Sequence, residues 1–410
     1  MDRGWRRSGF LLYLPDASRS CCPHYTIKLR APDLKPTRDQ RHALNRWNRF
    51  VLGERYLKEK AAKYPLGKEE KKRQNTTFNL IEAIHESEAC NLKPDLHPDH
   101  QYTVTLEPST FTEEKFQLFN HYQRDVHHET DSDISRPGFK RFLCSSPLHR
   151  TAQYGSFHQC HRLDGRLIAM SVLDLLPAGV SSVYFLYHSD YAAWSFGKLS
   201  ALREAALAIE GGHDWLYMGY YIHSCKKMQY KGDYKTQLVL DFDALAWDPL
   251  DEKMRALMEK RKWVSMSRER AIEASLANND PSDRSSLEKA LVEKAYAVPL
   301  ASPVEASRAR VPIFSLHIPG VMPAAEVREH IDLANVKITF GSRMEIRMGS
   351  LGSFSAEDGS GGWGDPGTAK GLAAEFAAVV GPVLAAEALL DFSRGGSGGG
   401  AAEGDDEDES

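Results

Sequence analysis

Apolar residues first recur at helical spacing over 37–52, where Leu44, Trp47 and Val51 fall three and four apart just after Pro36. That spacing predicts an amphipathic helix with Arg38 and Arg49 opposite the apolar stripe and Arg41 on its flank. A short strand over 102–106 comes next, then Thr110 with Glu113 three residues on, the pattern of a capping box. The helix after it turns Phe116, Phe119, Tyr122 and Val126 inward. Two alternating runs, 156–163 and 166–176, flank Asp164-Gly165, a dipeptide that favours a two-residue hairpin turn. A strand over 182–187 follows, and Ser195 is placed to cap a helix whose Leu199, Leu202, Ala206 and Ile209 share one face. Gly211-Gly212 ends that helix, and strands are predicted over 215–222 and 236–240.

Hairpin, strand, helix, strand, with a helix before and a strand after, predicts an α+β fold with a mixed sheet flanked by helices. The order resembles the GNAT type of acyltransferase, in which two central strands, here 182–187 and 215–222, splay apart to admit an acyl donor. A helix beginning near Gly197 could then hold donor phosphate on its free amides. Four segments are expected: a basic N-terminal domain over 1–100, a catalytic domain over 101–265, an extension with a small α/β module over 266–345, and a disordered acidic tail over 346–410. The stretch 252–274 reads as one basic helix.

Composition sharpens this picture at the two ends. The chain has 410 residues and a net charge of −4, but residues 1–78 hold 19 Lys and Arg against 8 Asp and Glu, while the last ten residues hold six acids and no base. Basic density with interleaved Trp47, Tyr56 and Tyr64 suits a phosphate backbone, though a solvated helix face reads the same way. Six cysteines without any Cys-x-x-Cys argue against a disulfide framework or a zinc ribbon and for a reducing compartment. No apolar run reaches membrane-spanning length. The cytoplasm is the expected location, with the nucleus as a second. P-loop, nucleophile-elbow and zincin motifs are absent. His121, His127 and His128 are spaced poorly for one metal site and read as packing residues.

The stretches with most information are 2–9 (DRGWRRSG), 21–29 (CCPHYTIKL), 45–50 (NRWNRF), 139–148 (FKRFLCSSPL) and 217–234 (YMGYYIHSCKKMQYKGDY). Together, over residues 2 to about 265, they resemble eukaryotic, fungal-type arginyl-tRNA:protein arginyltransferases. The resemblance implies transfer of arginine from Arg-tRNA to the α-amino group of proteins beginning with Asp, Glu or oxidised Cys, which marks them for N-degron degradation. It implies catalytic roles for Tyr217, Tyr220, Tyr221 and His223. Lys226, Lys227, Tyr230 and Lys231 would meet the acidic acceptor or the tRNA 3′ end, Asp190 and Glu204 the arginine guanidinium, and Arg38, Arg41 and Arg49 the tRNA backbone. Strand alternation over 215–222 puts Trp215, Tyr217, Gly219 and Tyr221 on one face and Leu216, Met218, Tyr220 and Ile222 on the other.

No cofactor is required for transfer itself. The family holds an iron-sulfur cluster with a Cys-x-x-Cys and an adjacent Cys-Cys pair; Cys21-Cys22 matches the pair, and the partner motif is expected upstream of Met1, which therefore reads as an internal start. A complete cluster is not expected here. A second departure is His188-Ser189-Asp190, where the family has Asp-Pro-Asp. The rival readings are an acetyl-CoA-dependent N-acetyltransferase and a non-catalytic tRNA-binding or adaptor remnant.

Overall fold

The structure, a computed structural model, describes residues 1–130, 132–277, 284–297, 311–339, 346–351, 363–365 and 368–392. The chain divides into two units, Met1–Arg270 and Ala271–Ser410. In the first, a hairpin of β1 (Arg6–Ser8) and β2 (Leu11–Tyr13) precedes β3 (Tyr25–Arg30), α1 (Arg38–Lys63), α2 (Lys68–Thr76) and α3 (Leu80–His85). Then come β4 (Tyr102–Pro108), α4 (Glu113–His127), α5 (Arg136–Phe139), β5 (Gly155–Leu163), β6 (Arg166–Leu176), β7 (Gly179–Tyr187), α6 (Phe196–Glu210) and β8 (Trp215–Tyr221). The unit closes with α7 (Lys226–Gln229), β9 (Leu238–Asp241), β10 (Ala246–Pro249), α8 (Glu252–Lys260) and α9 (Met266–Ala277), whose last residues pass the boundary.

Eight strands form one sheet in the order β10-β9-β3-β8-β7-β6-β5-β4. All neighbours are antiparallel except β7 and β8, which run parallel, so the sheet is mixed as expected. β6 occupies the predicted residues and pairs with β5 through the Asp164-Gly165 turn, where both residues have positive φ. The strand β3 is not among those expected, although Tyr25, Ile27 and Leu29 alternate with Thr26 and Lys28; it is buried from Tyr25 to Leu29 and lies between β8 and β9. Residues 1–100 therefore do not fold apart from the sheet: they supply one of its central strands.

Packing follows the helical stripes. Leu44, Trp47 and Val51 of α1 are buried, and the Trp47 ring meets those of Phe50, Tyr102, Trp194 and Phe196. α1 starts with a reciprocal capping box between Thr37 and Gln40 and breaks at Gly53. There φ is +77°, and a side chain would strike the Asp99 carboxylate. α6 presents Leu199, Leu202, Ala205 and Ala206 to the sheet.

Three local expectations are corrected. Thr112, two residues after Thr110, caps α4 by accepting from the Lys115 amide, which puts Glu113 at the first helical position. Ser195 precedes α6 in a left-handed conformation with no side-chain cap. The stretch 252–274 forms two helices, because the chain turns extended at Arg261 before α9 begins.

In the second unit, α10 (Arg284–Ala295) is followed by α11 (Ala324–His330), β11 (Lys337–Thr339), β12 (Ile346–Arg347), α12 (Ala369–Val380), α13 (Pro382–Glu387) and β13 (Leu389–Asp391). The three strands form a sheet in the order β12-β11-β13. Ala373, Ala374, Ala377, Ala378 and Ala385 share a core with Val327, Leu333, Val336, Ile338 and Met348. Residues 369–391, expected to be part of a disordered tail, thus complete the small module. Alanine allows close helix packing at no side-chain entropy cost. The acidic end, 393–410, lies outside the described residues.

Candidate functional site

β7 and β8 pair only at Gly179–Trp215, Val180–Leu216 and Ser181–Tyr217; beyond that point they separate, giving the splay expected of an acyltransferase sheet. The separation coincides with a bulge. On the other side of β8, Thr26 opposes Tyr220 and Lys28 opposes Tyr217, so Met218 and Gly219 together face the single residue Ile27. Gly219 has φ +75°, a conformation that favours glycine in a bulge.

The extra residue inverts the alternation after Gly219, which corrects the facial assignment of the tyrosines. Tyr217 and Tyr220 share the face covered by the N-terminal segment. The Tyr217 hydroxyl donates to the Asp2 carboxylate at 2.9 Å, and the Tyr220 hydroxyl to the Gly4 carbonyl at 3.3 Å. Burial holds both phenols well above their usual pKa, so they are donors at neutral pH and not bases. Leu216, Met218 and Tyr221 share the opposite core with α6. Tyr221 bonds His223 Nδ1 at 2.8 Å, and His223 Nε2 lies 2.7 Å from Glu259. The expected catalytic set is thus split between two faces: Tyr217 and Tyr220 lie on one, and Tyr221 and His223 are bonded to each other on the other, joined by Glu259, 36 residues onward.

Three consecutive bulge carbonyls each receive a cationic donor. Lys231 Nζ donates to the carbonyls of Met218 at 3.0 Å and Tyr220 at 3.3 Å, and Arg6 donates to that of Gly219 at 3.3 Å. Below them Glu204 of α6 accepts from the Ser171 hydroxyl at 2.9 Å and from Ser182. Burial pushes the Glu204 carboxyl up to about 7 and the Lys231 ammonium down to about 8, each favouring its neutral form, while their mutual attraction opposes both shifts. Tyr230 lies against the start of α6, its hydroxyl 3.4 Å from where a Gly197 side chain would begin.

These positions revise several expected contacts. Lys231 is turned inward and is not offered to an acidic side chain or a tRNA end, whereas Lys226 and Lys227 of α7 are exposed. Glu204, 2% exposed and bonded to two serines, is closed to a guanidinium. Asp190 is exposed but pairs with His188 at 3.2 Å and Arg166 at 3.5 Å. The start of α6 is not an open phosphate site: Tyr230 covers Gly197 and Lys198 pairs with Asp39. Sequence reasoning missed Arg6, Ser171 and Ser182. Arg6 lay in a quoted motif, but only the fold joins it to Gly219.

Arg38, Arg41 and Arg49 are all exposed on α1, and Arg49 is already paired with Glu54 at 2.6 Å. Of the histidines, His121 stacks on His188 at 3.6 Å, His127 contacts the Tyr184 hydroxyl and His128 ends α4 with left-handed φ. The Cys21 and Cys22 sulfurs lie 3.8 Å apart. No group of three or more His, Cys, Asp or Glu able to hold a metal ion occurs among the described residues. Those residues therefore do not fit an iron-sulfur cluster, which uses four ligands. No described helix is long and apolar enough to cross a membrane.

Residues 1–42 match the family model for the N terminus of arginine-tRNA-protein transferase, and residues 114–241 the model for its C terminus. Among curated relatives, arginyl-tRNA--protein transferase 1 of Saccharomyces cerevisiae is 33% identical over 273 residues, 61% of this chain and 49% of that protein. Its Arabidopsis thaliana namesake is 37% identical over 179 residues, 40% of this chain and 28% of that protein. The aspartate/glutamate leucyltransferase of Pseudomonas fluorescens is 38% identical over 133 residues, covering 32% and 54%. The chain thus spans about half or less of the length of these relatives. The C-terminal domain of a putative lysylphosphatidylglycerol synthetase from Agrobacterium fabrum aligns over 48% of this chain and 47% of that one, at 12% identity and a TM-score of 0.28, too low to bear on the fold.

Proposed function

We propose that the chain, whose residues 1–42 and 114–241 match the arginine-tRNA-protein transferase models, is a member of that family and moves arginine from Arg-tRNA to the N-terminal α-amino group of proteins beginning with Asp, Glu or oxidised Cys. The product would be an N-degron for ubiquitin-dependent degradation, formed in the cytoplasm with the nucleus as a second site. The observation that carries the reading is the splay of β7 from β8 at a glycine bulge whose carbonyls are fixed by Lys231 and Arg6.

The chemistry asks little of side-chain nucleophiles. The acceptor ammonium, with a pKa of about 7.7–8.0, loses one proton to become the attacking amine. A C–N bond then forms at the ester carbonyl and the C–O bond to the ribose breaks. The second proton leaves the nitrogen as the ribose oxygen departs as a hydroxyl. Orientation and stabilisation of the oxyanion are what the protein must supply. Lys226 and Lys227, both exposed, would receive an acidic acceptor residue. The acetyl-CoA alternative is disfavoured, because Tyr230 and the Lys198–Asp39 pair occupy the start of α6, where the cofactor's phosphates would bind.

Purified protein is expected to transfer arginine from charged tRNA to a peptide starting with Asp or Glu and not to one starting with Ala. Leu-tRNA is the control that the leucyltransferase relatives make informative. Equal labelling of all peptides, or labelling from acetyl-CoA alone, overturns the reading; tRNA binding without transfer identifies the non-catalytic remnant.

Binding of tRNA should weaken steeply with salt. Replacing Arg38, Arg41 and Arg49 with alanine should flatten the log–log slope by about 0.7–0.9 for each phosphate that no longer meets an arginine. Arg49 should contribute least, since Glu54 competes for it. An unchanged slope would make these arginines a solvated face.

A further inference from the structure

Past the last pairing of β7 with β8, Ser181 with Tyr217, the two strands part, and the Ser182 carbonyl of β7 looks across the gap at Gly219 of β8. A side chain begun at Gly219 would enter this gap 3.6 Å from Lys231 Nζ and 3.7 Å from the Ser182 oxygen. Apart from the chain neighbours of Gly219, no other described atom lies within 4 Å of that point, so the gap holds a niche large enough for one heavy atom. Gly219, Ser182 and Lys231 are each partly exposed, which leaves the niche open.

One wall of the niche is a donor and the other an acceptor. A lysine ammonium carries three N–H groups. Two of those on Lys231 bond the Met218 and Tyr220 carbonyls at 3.0 and 3.3 Å, and among the described residues the third has neither a hydrogen-bond acceptor nor an ion-pair partner. These two bonds, with Arg6 on the Gly219 carbonyl between them, hold Nζ in place before any substrate arrives. An oxygen shifted about 0.7 Å from the niche toward Nζ would lie at hydrogen-bond distance. Burial lowers the Lys231 pKa to about 8, so the ammonium is the main form at pH 7.

We propose that Lys231 is a catalytic residue of acyl transfer: the third N–H of its ammonium bonds the oxygen of the Arg-tRNA ester carbonyl in the niche beside Gly219, and the Ser182 carbonyl accepts an N–H of the attacking amine. The inference rests on the acyl-transfer reading above. Turned away from tRNA phosphates, Lys231 meets only the ester carbonyl that enters the splay. As the neutral amine adds to the carbonyl carbon, the C–N bond forms, an electron pair moves onto the carbonyl oxygen and the nitrogen becomes positive. The oxyanion then faces a cation already in position, where such a donor counts most. When the C=O bond re-forms, the C–O bond to the ribose breaks, and the ribose oxygen takes the surplus proton of the nitrogen and leaves as a hydroxyl.

Two stable analogues of the charged 3′ end test this in the full chain: arginyl-3′-amino-3′-deoxyadenosine, whose amide carbonyl is planar, and the corresponding aminophosphonate ester of adenosine, which is tetrahedral and anionic. The wild type should bind the phosphonate at least about 10²-fold more tightly than the amide. Lys231→Met should lose about 10² of that preference, and kcat should fall by a similar factor with KM for Arg-tRNA nearly unchanged. Gly219→Ala puts a methyl group in the niche while sparing the side chain of Lys231. It should lose the preference as well, and it decides the matter if Lys231→Met does not fold.

Equal weakening of both analogues in these variants would make Lys231 a brace for the bulge and overturn the inference. A wild type that transfers arginine yet binds the two analogues alike overturns it too, with the arginyl-transfer reading intact. A wild type that neither transfers arginine nor binds either analogue sinks that reading and the inference with it.

Discussion

Asp174→Ala is expected to cost the first unit about 3–5 kcal/mol, because it leaves a buried guanidinium without its counter-charge. The Arg7 and Asp174 side chains are 2% and 0% exposed. Nε and Nη2 of Arg7 reach the two carboxylate oxygens at 2.7 and 2.8 Å, and the Ser156 hydroxyl adds a third donor at 2.5 Å. This contact ties β1 to β6 across 167 residues of sequence, so its loss should also free the N-terminal segment that carries Arg6. Denaturant unfolding followed by tryptophan fluorescence reads the cost. Arg7→Met combined with Asp174→Leu should recover most of it, since an apolar pair of similar size avoids the desolvation penalty. A loss below about 1 kcal/mol for the single variant would mean that the pair is solvated.

Acidification from pH 7 to 5 is expected to destabilise the fold by about 2 kcal/mol net, the balance of two opposing effects. His158 and His161 are buried in β5, where burial pushes their pKa values down to about 4 and about 3. His158 Nε2 donates to the Leu143 carbonyl and His161 Nδ1 lies 2.6 Å from the Tyr102 hydroxyl, and burial keeps both rings neutral in the folded chain. Below the ordinary histidine pKa of about 6.5 the unfolded chain binds more protons than the folded one, and stability falls with pH by about 4 kcal/mol over this range.

Glu204 has the opposite sign. Its folded pKa is raised, so between about 4.5 and 7 the folded chain binds the extra proton and acidification returns about 2 kcal/mol. Glu204→Gln should therefore nearly double the acid loss. Unfolding free energies at pH 7, 6 and 5 check both statements, and a wild-type stability that is flat or rising toward pH 5 contradicts them.

The elements legible in the sequence were those whose signal is local. The 166–176 strand, its Asp164-Gly165 turn, the Leu44, Trp47 and Val51 stripe and the double-glycine end of α6 depend on side-chain period and on backbone conformations that a few residue types favour. The sheet order around β7 and β8 followed from these, and so did the reading of the chain as an acyltransferase. Motif stretches carried the resemblance to arginyltransferases, and with it Tyr221, His223 and Lys231 as residues of interest, without saying what any of them touches.

Tertiary structure decided the rest, because each remaining feature pairs residues far apart in sequence. β3 enters the middle of the sheet because β8 and β9 both offer it hydrogen bonds, a placement that the alternation of Tyr25, Ile27 and Leu29 with Thr26 and Lys28 does not reveal. One inserted residue at Gly219 moves Tyr220 to the face of Tyr217, a reversal that a strict period of two cannot foresee. Lys231 turns inward because the open edge of β8 leaves the Met218 and Tyr220 carbonyls in need of donors. The residue types at 204 and 231 are fixed by the sequence, but only the fold buries Glu204 against Ser171 and aims Lys231 at the carbonyls of β8.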